Sequence, residues 1–358
     1  MTDSSRHSNY IEDEKPLKTA KKVLTTETSK TSEKPEGESK VGKVKKEGEG
    51  GNARSVIQAW CNRAFKKKVS GLREEFLSLR RYVPKGITIK AFLANPGLCR
   101  YKDVPTSDAN RVILYNKGVE QFIHANFTST PVSKKRFICT QGPMDCTISH
   151  FWLMIWQEEV ENIIMLCNII EKGQKKCSQY YPINAGTSET YGDFTVKLNE
   201  SKILSKDADT VKKNFIVLSK KGETGTRTIY HYHWQDWPDR GAPPINATPF
   251  FILSAVRGTK KPIVVHCSAG IGRTGTIVAI EYVLERFSCG QSCEAMDQIL
   301  KDMRDQRAYS IQNEHQYLYI HRVLMYYIFE RGGKITNEEI LKNYKTFCED
   351  YSALVNNT

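Results

Sequence analysis

From Ala53 onward the apolar residues fall into two rhythms. Val56, Ile57, Trp60, Cys61, Ala64 and Phe65 recur at three- and four-residue spacing, and after a basic break Val69, Leu72, Phe76 and Leu79 resume it, which predicts two short amphipathic helices. Between Tyr101 and Pro182 short apolar runs at 112–114, 137–140 and 163–167 alternate with turn residues, and 151–160 reads as a helix between the last two. "YGDFTVKL", "NFIVLSK" and "TRTIYHYHW" then alternate apolar and polar residues with period two, the mark of antiparallel strands. "PIVVHC" is a short β-branched run, expected to be a buried strand, and "TGTIVAIEYVLERF" after it is expected to be a helix. Further helices are expected around 293–305 and 312–329. A final one has its own start signal, because Thr336-x-x-Glu339 fits a capping box ahead of Ile340, Leu341, Tyr344, Phe347, Cys348 and Tyr351. There is no internal repeat. The pattern predicts an α/β fold: a single domain over 53–330 with a central twisted mixed β-sheet flanked by helices, and a C-terminal helical extension over 331–358.

Composition changes this picture at the front of the chain. The first fifty residues are mostly Lys, Glu, Ser, Thr and Gly, which cannot bury enough surface to offset chain entropy, so 1–52 is read as a disordered tail. "KVGKVKK" within it reads as a solvated linker sooner than as a nuclear address. The net charge is +13, yet ten lysines and Arg6 in those fifty residues nearly balance ten acids. The folded part is therefore the basic part. Such a field draws in phosphorylated substrates, acidic lipid or nucleic acid without choosing among them. No apolar run approaches the ~20 residues of a membrane span, and the N-terminus has no apolar signal core, so a cytoplasmic protein with no membrane span is expected. Ten cysteines are scattered singly and read as reduced thiols. Cys289 and Cys293 form a tight pair with no histidine beside it, so buried thiols are expected there and not a metal site.

The chemistry concentrates in "VVHCSAGIGRTG", residues 264–275. As Gly270-x-Gly272-x-x-Gly275 it matches a dinucleotide fingerprint, which requires a second parallel strand after the helix with an acidic residue at its end. The stretch beyond Phe287 is helical in pattern, and that reading fails; a Walker loop fails because Arg273 stands where lysine is needed. Read as a thiolate loop, every residue has a use. A strand entering a Gly-rich turn and then a helix points successive N–H groups inward, a nest for a phosphate dianion on the positive end of the helix. Ser268, Ala269, Gly270, Ile271 and Gly272 supply that nest. Cys267 at its mouth feels the same field, and thiols so placed have pKa values of roughly 3.5–7.5. Arg273 can fork to two phosphate oxygens, Gly270 and Gly272 admit the backbone, and Thr274 can donate its hydroxyl to the sulfur as it leaves.

A thiolate nucleophile needs an acid to protonate its leaving group. "HWQDWPDRGAP" offers Asp236 and Asp239 on a Trp-, Pro- and Gly-bearing loop able to close over substrate. With this loop in hand, the chain resembles the cysteine-dependent protein tyrosine phosphatases, in both their receptor and non-receptor types. His266, Cys267, Arg273 and Thr274 complete that family's signature, and Trp237, Pro238 and Asp239 complete its acid loop. "FICTQGP", "HFWLMIW", "IIEKGQKKCSQYYP" and "RDQRAYSIQNEHQY" look like further blocks in the family's order over roughly 70–330. The resemblance implies the protein tyrosine phosphatase fold and a cysteinyl-phosphate mechanism. It makes Cys267 the nucleophile, Asp239 the acid and then the base, and Gln316, with Gln312 its neighbour, the residue that positions water. Tyr101 would stack on the phosphotyrosine ring, Asp103 would hold the substrate backbone, Glu171 and Lys176 would orient clamp and acid loop, and His266 would tune the thiolate. Partners would be phosphotyrosine-containing proteins; no metal, no cofactor and no nucleic acid is called for.

Several supporting positions depart from the family. Cys99 stands in "LCRY" where asparagine is usual, Arg240 follows the acid where phenylalanine is favoured, Gln121 and His124 in "QFIHANF" replace residues of a "DYINA" block, and Leu153 stands where arginine is common. None removes a catalytic group, though each bears on efficiency and specificity. Two functions remain: an active phosphotyrosine hydrolase, or an attenuated relative kept as a phosphotyrosine-binding module. Asp239 and Gln316 favour the hydrolase, since a binder has no use for them; Tyr101 argues against a dual-specificity enzyme, because it implies a pocket too deep for phosphoserine.

Overall fold

The computed structural model describes residues 53–116, 118–332 and 337–356. The tail 1–52 with its basic cluster, and Thr336 of the expected capping box, lie outside the described residues. The opening helical run, α1 (Ala53–Ser78), is two helices in one line of sequence, broken where Lys68 takes φ 59° and ψ 174°. Val56, Trp60, Cys61 and Ala64 are buried before the break, and Val69, Leu72 and Phe76 after it. A short α2 (Lys90–Ala94) comes next.

One mixed sheet organises the middle of the chain. Its strands are β1 (Arg111–Asn116), β2 (Val119–Thr130), β3 (Ser133–Thr140), β4 (Asn162–Met165), β7 (Ser188–Tyr191), β8 (Phe194–Ser205), β9 (Ala208–Lys220), β10 (Arg227–Trp234) and β11 (Ile263–His266). They lie in the order β1-β2-β3-β11-β4-β10-β9-β8-β7, while β5 (Ile170–Glu171) and β6 (Gln174–Lys175) form a separate hairpin. The centre is parallel, β11 pairing with β3 and β4, and β4 with β10. The flanks are antiparallel. This is the single α/β domain with a twisted mixed sheet that the pattern predicts. All four residues of β11 are fully buried, as a strand covered on both faces must be, which is why its sequence runs apolar without alternation.

Helices α3 (Ile148–Gln157), α4 (Thr248–Val256), α5 (Gly272–Ser288) and α6 (Met296–Gln306) pack on the sheet, and α7 (Glu314–Tyr326) and α8 (Glu338–Asn356) pack with α1 and with each other. Helix α3 starts and ends three residues earlier than its periodicity suggests. Met144 N–H donates to Thr147 Oγ1 at 2.8 Å and pins a 3₁₀ turn in front of it, and Glu159 at φ 52° lies just beyond its end. It touches β1, β2, β7 and β8, strands from both ends of the sheet, so the twisted sheet wraps around it. At α8 the cap is Asn337, whose Oδ1 accepts from Ile340 N–H at 3.0 Å. Phe347 and Tyr351 of α8 join the main core.

Besides the short α2, β5, β6 and β7, two longer elements are absent from the sequence reading. Strand β2 is buried on both faces from Phe122 to Asn126, and its His124, Asn126 and Thr128 are polar residues in the interior, so neither period shows. Helix α4 is almost uniformly apolar, "TPFFILSAV", and such a run does not distinguish helix from strand.

The topology fixes where ligands can bind. His266 at the end of β11 is in register with Thr140 on β3 and with Met165 on β4. Three parallel strands thus stop level with one another, and the crevice beyond such carboxyl ends is where open α/β sheets place their ligands.

Candidate active site

Residues 267–271 make the turn from β11 into α5, whose first residue is Gly272. The turn is fastened on both sides: Gly142 N–H donates to Ser268 O at 3.0 Å, and Leu166 N–H donates to His266 O at 2.9 Å. Gly270 has φ 70°, and a Cβ there would stand 2.1 Å from Thr140 O. Its N–H is turned onto Cys267 Sγ at 3.3 Å. A Gly270→Ala substitution combines a left-handed backbone with backbone overlap, and is expected to cost at least about 2 kcal/mol, a Tm fall of roughly 4 °C or more. A thermal melt at the wild-type midpoint would mean the loop relaxes around the methyl group.

Arg273, the second residue of α5, is buried. Its Nη1 donates to Glu171 Oε1 and its Nη2 to Glu171 Oε2, both at 2.6 Å, while Nη1 also reaches Leu166 O at 2.7 Å. The remaining Nη2 contact is Asp239 Oδ1 at 3.0 Å. Lys176 Nζ holds the other oxygen of Asp239 at 2.9 Å. Burial would raise the Asp239 carboxyl, but the Lys176 hydrogen bond and the Arg273 charge outweigh it and hold it below the ordinary carboxylate range. Glu171 and Lys176, from the β5–β6 hairpin and the residue after it, thus meet the acid loop at the clamp.

The acid loop is anchored at its hinge. Trp237 is buried, donates its indole N–H to Gly241 O at 3.1 Å, and packs against Trp234 and Tyr319 at ring separations of 4.8 and 5.8 Å. Pro238 O accepts from Gly241 N–H at 3.2 Å, closing the turn around Asp239. Asp236 points elsewhere, accepting the Trp234 indole N–H. Arg240 is exposed with φ 60°, and its carbonyl accepts from Asn313 Nδ2 at 2.7 Å.

Tyr101 reaches the rim of the loop, its hydroxyl 2.8 Å from Ser268 Oγ, which in turn donates to Lys176 O at 3.0 Å. Asp103 is exposed on the same turn and is not drawn into the cluster. Gln312 precedes α7, so the two glutamines do not share a helix face. Instead Gln312 N–H donates to Gln316 Oε1 at 2.9 Å, and both side chains lie over Gly272, where a Cβ would come within 3.0 Å of the Gln316 amide. Thr274 Oγ1 is buried and makes no hydrogen bond among the described residues.

Behind the loop runs a buried polar chain that sequence reasoning missed beyond His266. Asn214 Nδ2 donates to His231 Nδ1 at 3.1 Å, which puts the His231 proton on Nε2, 2.6 Å from the Tyr180 hydroxyl. Tyr180 then donates to His266 Nε2 at 2.8 Å, leaving His266 Nδ1–H for the Cys267 carbonyl at 3.4 Å. Burial pushes His266 down to about 3 and His231 well below its usual value, so both stay neutral. The available signal was the pair of histidines at 231 and 233 in a strand whose other inward residues are apolar. Gln141 was also missed; it grips the Tyr101 loop by accepting from Arg100 N–H at 2.8 Å and donating to Leu98 O at 2.9 Å.

Of the departures, Arg240 lies in the acid loop beside Asp239 and His124 lies beneath the phosphate loop, while Cys99, Gln121 and Leu153 are set apart from them. Cys99 is buried with Phe92 and Phe122, and its thiol donates to Asn95 O at 3.3 Å. Gln121 and Leu153 line a separate cavity of about 200 Å³ with Ser149 and His150.

Comparison with known proteins places these features. The family model for protein-tyrosine phosphatase matches residues 95–326. The chain is 33% identical over 297 residues to receptor-type tyrosine-protein phosphatase zeta of Rattus norvegicus, covering 76% of this chain and 13% of that protein. It is 30% identical over 308 residues to tyrosine-protein phosphatase non-receptor type 9 of Homo sapiens, covering 80% and 51%. It therefore spans a small part of the receptor-type relative and about half of the non-receptor one. A solved structure described as the structural basis of the PTPN18 fingerprint on distinct HER2 tyrosine phosphorylation sites superposes with a TM-score of 0.65 at 26% identity, over 77% of this chain and 99% of the other.

Proposed function

The chain belongs to the protein-tyrosine phosphatase family, and we propose that it hydrolyses phosphotyrosine in proteins through a cysteinyl-phosphate intermediate. The observation that carries this reading is the contact of Asp239 with Arg273 over the loop that begins at Cys267. The acid comes from one loop, and the anion clamp and the thiol come from another.

The geometry supports a definite order of steps. An incoming phosphate dianion takes the guanidinium face that Asp239 occupies and the inward N–H groups of the loop. Cys267 Sγ attacks phosphorus, the bond from phosphorus to the tyrosine oxygen breaks, and Asp239 delivers its proton to that oxygen. Thr274 has a free hydroxyl to donate to the sulfur. In the second step water attacks phosphorus, Asp239 accepts its proton, the S–P bond breaks, and inorganic phosphate leaves. Gln316 is placed to orient this water, since its amide lies over Gly272 at the floor of the loop. Asp236 is the weaker candidate for the acid because its carboxylate is engaged by Trp234. Tyr101, tied to Ser268, serves as a wall for the aromatic ring.

Hydrolysis of a phosphotyrosine peptide against its phosphoserine counterpart, with chelator present, tests the proposal. Phosphate release from phosphotyrosine alone is the expected result. Tight phosphotyrosine binding with no release from either peptide would make the protein a reader of phosphotyrosine instead.

A further inference from the structure

Arg307 is a buried guanidinium whose hydrogen-bond acceptors among the described residues are neutral. It is fully buried, and its contacts are Gly270 O, Ala269 O and Asn126 Oδ1, each at 3.0 Å, and His124 Nδ1 at 3.1 Å. Two of those acceptors are carbonyls of the phosphate loop, so this side chain fixes the loop from below. Burying a charge without a partner is costly. Four of its five N–H donors are met by these acceptors, and His124 meets one of them.

His124 also faces the other way. Its Nε2 lies 2.8 Å from Val104 O, and Val104 closes the turn that begins at Tyr101, with Val104 N–H directed at Tyr101 O. An arginine can only donate, so Nδ1 accepts and the proton sits on Nε2, where it donates to Val104 O. Burial, with the Arg307 charge beside it, pushes His124 down to about 3, which keeps the ring neutral and this tautomer fixed. Phe92 packs edge-on against the ring at 5.8 Å. The imidazole thus adds a buried link between two parts of the site that are also joined at the rim by Tyr101 and Ser268 and, through Leu98 and Arg100, by Gln141 and Gly142.

We propose that His124 is a positioning residue that locks the aromatic wall of the pocket to its phosphate cradle, through Val104 on one side and Arg307 on the other. This rests on the phosphotyrosine reading above and adds a link that the family's usual asparagine at this position cannot make in the same way. Asparagine places an acceptor near Nδ1 and nothing at Nε2; glutamine places a donor near Nε2 and nothing at Nδ1.

The two substitutions therefore separate the two halves. His124→Asn is expected to bind inorganic phosphate within about twofold of wild type and phosphotyrosine peptide about tenfold more weakly, the scale of one lost buried hydrogen bond. His124→Gln is expected to lose about tenfold in inorganic phosphate affinity, because a donor of Arg307 is left unmet. Titration calorimetry well below each variant's Tm reads both, with every chain compared, the reference included, carrying Cys267→Ser so that the peptide is bound and not consumed. Equal losses for the two ligands in both variants, or wild-type affinities in both, would overturn the proposal, since a role in folding alone predicts one of those. In the unmodified protein, imidazole nitrogen NMR should find the Nε2–H tautomer and a shift when phosphate binds; an Nδ1–H tautomer would overturn it without any substitution. All these readouts are equilibrium properties, so they stand whether or not the protein turns phosphotyrosine over.

Discussion

Cys267→Ser is expected to abolish phosphate release, by on the order of 10⁴-fold or more, while leaving phosphotyrosine binding within a few-fold of wild type. The asymmetry comes from how the loop is built. On the proposed reading the phosphate nest is made of backbone N–H groups and Arg273; of these Gly270 N–H touches the sulfur, and a serine oxygen can accept from it as well. A serine hydroxyl, however, needs a base to remove its proton, and the adjacent His266 cannot serve. Its Nε2 is taken by Tyr180, its Nδ1 faces the Cys267 carbonyl, and burial pushes it down to about 3. Asp239 is held by Arg273 and Lys176 and, on the proposed mechanism, serves as the acid. Single-turnover release of phosphate from the variant at the wild-type rate would move the nucleophile to another side chain.

This division between a backbone nest and one reactive atom explains how much of the site could be read from sequence. The loop is contiguous, and each of its residues has a chemical reason to be where it is, so Cys267 through Thr274 stand out from the string alone. The sheet's centre was legible for a related reason: β11 is short, β-branched and buried on both faces, and the strands β8 to β10 alternate in plain view. The illegible part is assembled across the chain. The contact between Glu171 and Arg273 joins residues 102 positions apart, and that between Arg307 and His124 joins residues 183 apart. No local period announces that an arginine in "RDQRAY" is fully buried or that a histidine in β2 faces it. Polar side chains placed in the interior to hold the loop are the same residues that obscure the strand's rhythm, so β2 was lost as an element for the reason that makes it useful. Resemblance to a family supplied the roles of Glu171 and Lys176, and geometry supplied their partners.

Asp239→Ala is expected to lower kcat by about 10²–10⁴-fold, the usual contribution of a general acid, with no loss of phosphotyrosine affinity. Affinity should hold or improve, because the variant frees the Arg273 guanidinium that Asp239 otherwise occupies at 3.0 Å. The loss should depend on the leaving group: large for phenyl phosphate, whose oxygen must be protonated, and small for p-nitrophenyl phosphate, whose oxygen leaves as a stable anion. The pH profile gives the sign. In the ligand-free protein the Lys176 bond and the Arg273 charge overcome burial and keep Asp239 ionised below the ordinary carboxylate range. This ion pair is therefore present above that range and is lost only as the pH falls through the depressed value. On the proposed mechanism the acid must carry a proton, so the ion-paired form of Asp239 in the free protein is the wrong one for catalysis. Substrate corrects it: the phosphate dianion takes Arg273 away from Asp239 and sets negative charge beside it, and both changes push the carboxyl up. Wild-type kcat should accordingly fall on the alkaline side as Asp239 loses its proton in the complex, and the alanine variant should lack that limb. Asp236→Ala, which removes only the acceptor of the Trp234 indole, should keep both the rate and the limb. An alkaline limb that survives in Asp239→Ala and vanishes in Asp236→Ala would transfer the acid to the neighbouring carboxylate.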